Sequence, residues 1–293
     1  MSIPFENQLD YELTAVGITG SVKRRILDEF DDHLACDPEA QLGEPRALAR
    51  QFADEVGTTR ARQAAMVGFG ALALAGILFG IAFVTAGAAY GPAPTGGPLS
   101  GRVATAVGIV FSQVSFVAGM LGVMRWVVRR HAEVLAAAEA RVMVRRAAVG
   151  VLAGIVTMAS LGTIAIAYRP YLPSAWTTYA IVAAAIGIAA LLAALPSVWA
   201  ATQVAPVADG GAGDIFDDLG AFAGLVPAPL RGHPWRVAIA VAVAVAAVIT
   251  LVAVPAQDAF DGAARGGLDA LLCLLGFATL GRWLGLWGSR AAG

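Results

Sequence analysis

Residues 64–90 read AAMVGFGALALAGILFGIAFVTAGAAY, 27 positions without a single charge. At 1.5 Å per helical residue such a run is about 40 Å long, more than the roughly 30 Å hydrocarbon core of a bilayer. It predicts a helix that crosses a membrane and either tilts or extends beyond it as a stalk. Five further apolar runs follow, over residues 103–128, 147–168, 176–202, 237–254 and 268–287. The composition agrees, because 58% of the residues are hydrophobic and only 14% are charged, too little charge to cover a solvated surface. The expected fold class is therefore all-α: a polytopic membrane protein with six transmembrane helices over 64–293 and a small cytoplasmic three-helix domain over 1–63.

Arginines orient the expected spans. Arg129, Arg130, Arg141, Arg145 and Arg146 fall in the connector expected over 129–146, whereas the connectors on the opposite side contribute only Arg102, Arg169 and Arg265. The excess of Lys and Arg in cytoplasmic loops places the 129–146 and 203–236 connectors, both termini and the N-terminal domain in the cytoplasm. Arg60 and Arg62 beside the first span agree. The opening MSIPFENQLDYE is polar and acidic where a secretion signal needs a basic end and an apolar core. The first span is thus expected to act as an uncleaved anchor in a plasma (inner) membrane.

The region ahead of the first span is acidic, holding 12 of the 21 carboxylates of the chain. Leu9, Leu13 and Val16 recur at helical spacing up to Gly17, and Val22, Ile26, Leu27, Phe30 and Leu34 mark a second helix with Lys23, Arg24, Asp28, Asp31 and Asp32 on its other side. Pro45 suits the first turn of a third helix with Leu48, Phe52 and Val56 on one face, and Gly57 is expected to end it. A head of about 60 residues buries little core, so it is expected to dock on a partner or on the membrane body.

Arg25, Leu27 and Glu29, followed by Asp32-His33-Leu34 and then Leu42-Gly43-Glu44-Pro45 with Leu48-Ala49, resemble the helical prefix domain called HAAS. That domain is found on bacterial membrane proteins often encoded beside PadR-type transcription regulators. The resemblance covers about the first 60 residues. It implies a regulatory, protein-contacting head without catalytic residues and a PadR-like regulator as functional associate. The candidate docking residues are Lys23, Arg25, Glu29, Asp32, His33 and Pro45.

Within the membrane body the first five runs carry no central acid or base. The second run has a polar cluster of Ser112, Gln113 and Ser115, suited to hydrogen bonding across helices or to a small polar pocket. A permease-like route would pass Gln113, Thr157, Ser160 and Thr163. Glycine pairs at four-residue spacing, Gly76 with Gly80, Gly150 with Gly154 and Gly281 with Gly285, allow close helix packing or a homo-oligomer face. In the 203–236 connector, Asp214, Asp217 and Asp218 accompany Ile215, Phe216, Leu219 and Phe222, and Trp235 with Arg236 precedes the fifth run. This pattern suits either an amphipathic surface helix contacting lipid or the head, or a simple connector with interfacial anchors.

Several classes are not expected. No GxxxxGK[ST] loop, HExxH or nucleophile elbow occurs, so neither an enzyme nor a cofactor is implied. His33 and Cys36 between Asp32 and Asp37 lack a second ligand pair for a metal; His33 reads instead as a partly buried helix-end residue. The triplet Lys23-Arg24-Arg25 is offset by the surrounding acid, which argues against direct nucleic-acid binding. The expected function is non-enzymatic membrane signalling or regulation through a cytoplasmic protein partner, with membrane lipid around the body. The alternative is a permease-like subunit for a small or lipidic solute.

Overall fold

A computed structural model of the chain describes residues 5–37, 42–90, 97–213, 215–219, 227–230, 233–253, 259–281 and 284. Every regular element among them is helical: α1 (Phe5–Ala15), α2 (Gly20–Cys36), α3 (Pro45–Tyr90), α4 (Leu99–Val128), α5 (Ala137–Ala167), α6 (Ser174–Gln203), α7 (Ile215–Leu219), α8 (Pro234–Ala253) and α9 (Ala259–Leu280), with a short 3-10 turn at Ala228–Leu230. Helices α3, α4, α5 and α6 are long and apolar enough to cross a membrane. They form one bundle in which α3 packs on α4, α5 and α6, and α5 lies between α4 and α6.

The dominant element is α3, a single helix of 46 residues, about 69 Å at the helical rise. Gly57, expected to end a third head helix, instead lies inside it. Its missing side chain serves a close approach, since a Cβ there would sit 2.6 Å from the backbone nitrogen of Pro206. The N-terminal part of α3 contributes Ala49 and Ala53 to a core with Leu9, Leu13, Ile18 and Ile26, against which Phe5, Phe30 and Phe52 pack. Farther along, Ala75 and Ala82 of the same helix enter the bundle core with Val151, Met158 and Leu191. Head and bundle therefore share one uninterrupted helix.

Small residues set the spacing in the middle of the bundle. Leu72 of α3 lies over Gly119 of α4 and Gly150 and Gly154 of α5, where added Cβ atoms would meet its methyls at 3.0, 2.8 and 2.9 Å. Gly76 and Gly80 differ, because a Cβ at either would meet nothing within 4 Å. Gly285 lies outside the described residues. At the bundle end away from the head, the Tyr168 ring packs over Gly97 and Gly101, and the Trp176 indole N–H donates to the Ala82 carbonyl at 3.0 Å.

The connectors differ from the expected ones. Residues 137–146 are helical and extend α5 beyond its apolar run, leaving 129–136 as the link from α4. Helices α8 and α9 pack against each other, with Gly266 so close that a Cβ would lie 2.6 Å from the Ala246 carbonyl oxygen. Helix α9 starts at Ala259, ahead of the run expected from 268.

Candidate functional site

The head is seated on the bundle by the segment 204–208. Val204, which follows α6, is only 1% exposed and belongs to the head core. Gly17 makes room for this segment, since a Cβ there would lie 2.5 Å from the Gln203 carbonyl oxygen, and its φ of +87° is one that glycine adopts readily. Asp54 on α3 accepts hydrogen bonds from the backbone N–H groups of Val207 and Ala208 at 2.5 and 2.8 Å. On its other side the segment is tied to α5, because the Ala137 N–H donates to the Ala208 carbonyl at 2.9 Å.

The 129–136 link docks on the same stretch of α3. Thr58 Oγ1 accepts from the Leu135 N–H at 3.0 Å, and Arg62 donates to the carbonyls of Arg129, at 2.9 Å, and Ala132. Thus the head, the α4–α5 link and the segment after α6 gather at one end of the bundle.

At that end three charged residues are buried together. Arg125 in the last turn of α4 is 2% exposed, Arg146 of α5 is 0% exposed and Asp218 of α7 is 1% exposed. Asp218 lies between the two guanidinium groups, pairing with Arg125 through Oδ1 and with Arg146 through Oδ2, the latter at 2.7 Å. Arg125 also donates to the Ala212 carbonyl. Arg146 donates through Nε to the Leu284 carbonyl at 2.8 Å and through Nη1 to the Leu121 carbonyl at 3.0 Å. Next to this group, Arg129 pairs with Glu139 at 2.7 Å.

Burying these charges is costly, and only a set of mutual pairs and carbonyl acceptors makes it tolerable. The fork-shaped arginine donors suit such a site better than lysine would. One carboxylate and two guanidinium groups thereby join α4, α5, α7 and the turn after α9. Chemically the arrangement is a tie: every described contact is internal, and among the described residues no group of three or more metal-ligating side chains occurs.

The expected site residues are dispersed. Lys23 is turned towards α1, pairing with Asp10 at 2.6 Å and donating to Thr14 Oγ1 at 3.0 Å. Arg25 and Glu29 face solvent, 3.8 Å apart along α2. Asp32 is exposed. His33, expected to be partly buried, is exposed as well, because α2 ends in solvent rather than against the body. Pro45 is buried at the start of α3.

Ser112 donates to the Ile109 carbonyl of its own helix at 2.8 Å, Ser115 is buried, and Gln113 is half-buried. Ser112 and Ser115 line a cavity of about 430 Å³ between α3, α4 and α5, together with Phe69, Phe116, Thr157 and Met158. Gln113 is not among its lining residues.

In the second connector Asp214 lies outside the described residues. Asp217 is exposed, and Asp218 is buried in the charge cluster rather than on a surface. Ile215 is packed inward against Leu121 and Leu284. Trp235 is half exposed, with its ring edge-on to Phe277 at 4.9 Å. Sequence reasoning places Arg146 among the orienting connector charges and assigns Arg125 no role, so it does not bring the cluster together. One signal was present: an arginine within an apolar helix demands an anion, and the second connector supplies carboxylates.

The chain matches no protein-family model, no curated protein and no solved structure.

Proposed function

We propose that this chain is a non-enzymatic regulatory membrane protein whose cytoplasmic head docks a protein partner. In this reading α3, α4, α5, α6, α8 and α9 are six spans in a bacterial plasma membrane. Both termini lie in the cytoplasm, and the HAAS-like head works with a PadR-like transcription regulator. The positive-inside preference supports the orientation, because Arg129 and Arg130 after α4 and Arg141 and Arg145 in the first turns of α5 gather at the end of the bundle that carries the head.

The observation that carries the reading is the continuity of α3. Ala53 in the head core and Ala75 in the bundle core lie on one helix without a break. A tilt or rotation of this helix in the bilayer therefore moves the head as a lever. The exposed side of α2, with Arg25, Glu29, Asp32 and His33, is the surface on which such movement would be read.

The test is co-purification of the full-length protein from membranes, paired with transcript measurement. Glu29→Lys with Asp32→Lys should leave the protein in the membrane, lose the bound regulator and change transcription. If neither capture nor transcription responds to these substitutions or to removal of residues 1–36, the proposal fails.

The cavity between α3, α4 and α5 favours a second reading, a permease-like subunit for a lipidic solute. Its walls are mainly apolar side chains, and the hydroxyls of Ser112 and Thr157 are bonded to their own helices at 2.8 and 2.9 Å. Flux in liposomes that disappears when Gly76→Leu fills the cavity would support transport, whereas a bundle without flux would leave the regulatory reading alone.

A further inference from the structure

The buried charge cluster and the docking strip of the head belong to one stretch of chain. Residues 204–208 hold the head through Val204 and through the two N–H groups bound by Asp54. Ala212 and Asp218, a few residues on, are held by Arg125 and Arg146. The strip thus has one end in the head and the other clamped between the head-side ends of α4 and α5. We propose that Asp218 is a latch residue: by bridging Arg125 and Arg146 it holds residues 204–213 in the position that seats the head, and separation of α4 from α5 at this end releases them.

Three features favour a latch over a plain stabiliser. A buried ion cluster is in general no better for stability than apolar residues of the same volume, and its best-attested use is to select one arrangement over others. Asp218 is shared by two helices, one through each carboxylate oxygen, so a displacement of either helix lengthens one of its pairs while the other holds, and such charge-assisted contacts carry geometric specificity. The cluster also lies at the end of the bundle, one turn from Arg129, which is partly exposed. Opening there admits water to the separated charges, whereas opening at mid-bundle would leave them in apolar surroundings.

The latch rests on the reading of the head as the output end, and a separate measurement distinguishes the two. Amide hydrogen exchange on the full-length protein in lipid nanodiscs reads local release directly. Asp218→Asn keeps the shape and removes the charge. It should raise exchange about tenfold in residues 5–36 and 204–213 while leaving 150–166 and 177–200 unchanged. Asp54→Ala, which cuts the strip from the head side, should loosen residues 5–36 to a similar degree with the charge cluster intact.

Arg125→Lys retains the charge but loses the guanidinium fork, and it should give the same pattern at about threefold. It carries the test if Asp218→Asn does not reach the membrane. Unchanged exchange in the head, or an equal rise in head and bundle, overturns the latch. A head that loosens as expected and yet binds no regulator keeps the latch and removes the output reading.

Discussion

Two halves of the same four-helix bundle are held by opposite means. Midway along α3, Leu72 sits over Gly119, Gly150 and Gly154, and Gly187 of α6 accepts Met158. Contacts there are apolar, and close approach replaces the hydrophobic drive that a bilayer does not supply between helices. At the head end, Arg62, Arg125 and Arg146 reach across to backbone carbonyls and Asp218 joins two helices. One half is held by shape and the other by charge, so the two should fail differently when altered.

The largest effect is expected from Asp218→Ala. It leaves two buried guanidinium groups facing each other without their anion, a change of the kind that costs about 3–5 kcal/mol. Unfolding of the purified protein in detergent should show that loss. Replacing Arg125, Arg146 and Asp218 together by Met, Met and Leu should recover most of it, because apolar residues of similar volume restore burial without charge. A single alanine that proves harmless would mean that the cluster is hydrated and contributes no tie.

Second in size is overpacking of the mid-bundle. Gly154→Val places a Cβ about where Leu72 and Leu191 already lie, at 2.9 and 3.2 Å, and should cost about 1–3 kcal/mol. The contrast is Gly76→Val on the same bundle, which meets nothing within 4 Å and should stay within about 0.5 kcal/mol. Equal losses at both glycines would remove the distinction between a packed and an open face.

These effects differ also in how far the sequence discloses them. Hydropathy marked the four long helices because a run such as 64–90 has no other stable reading, and the cores of α1 and α2 followed from the spacing of Leu9, Leu13, Val22 and Ile26. Gly57 misled because glycine serves two purposes, ending a helix or admitting a neighbour, and only the tertiary partner, Pro206, tells which. Which carboxylate of the second connector meets the buried arginines is not legible for a similar reason. The sequence neighbours of Asp218, Asp217 and the apolar residues of α7, describe a surface helix, and its role comes from arginines 93 and 72 positions away in α4 and α5. Local pattern reports what a residue can do alone, whereas a buried ion pair is a property of two distant segments.

Among the charges themselves, burial should decide the size of the effect. Lys23 and Asp10 approach to 2.6 Å, nearly the separation of Arg146 and Asp218, yet they lie at the surface of the head. Water and salt screen them, so Lys23→Ala should cost about 0.2–1 kcal/mol and lose that difference as ionic strength rises. A loss equal to that of Asp218→Ala would show that the head, rather than the charge cluster, holds this end together.

The smallest effect sharpens the other half. Thr157 faces the cavity between α3, α4 and α5, but its hydroxyl donates to the Ala153 carbonyl one turn back at 2.9 Å. That carbonyl lies in the regular part of α5 and keeps its backbone hydrogen bond when the hydroxyl is removed. Thr157→Val preserves the shape, orphans no group and presents a methyl to an already apolar wall, so unfolding should move by less than about 0.5 kcal/mol. If the same substitution abolishes solute flux while stability holds, the hydroxyl must turn from its helix towards a ligand, and the mid-bundle is then a binding site rather than a joint held by shape.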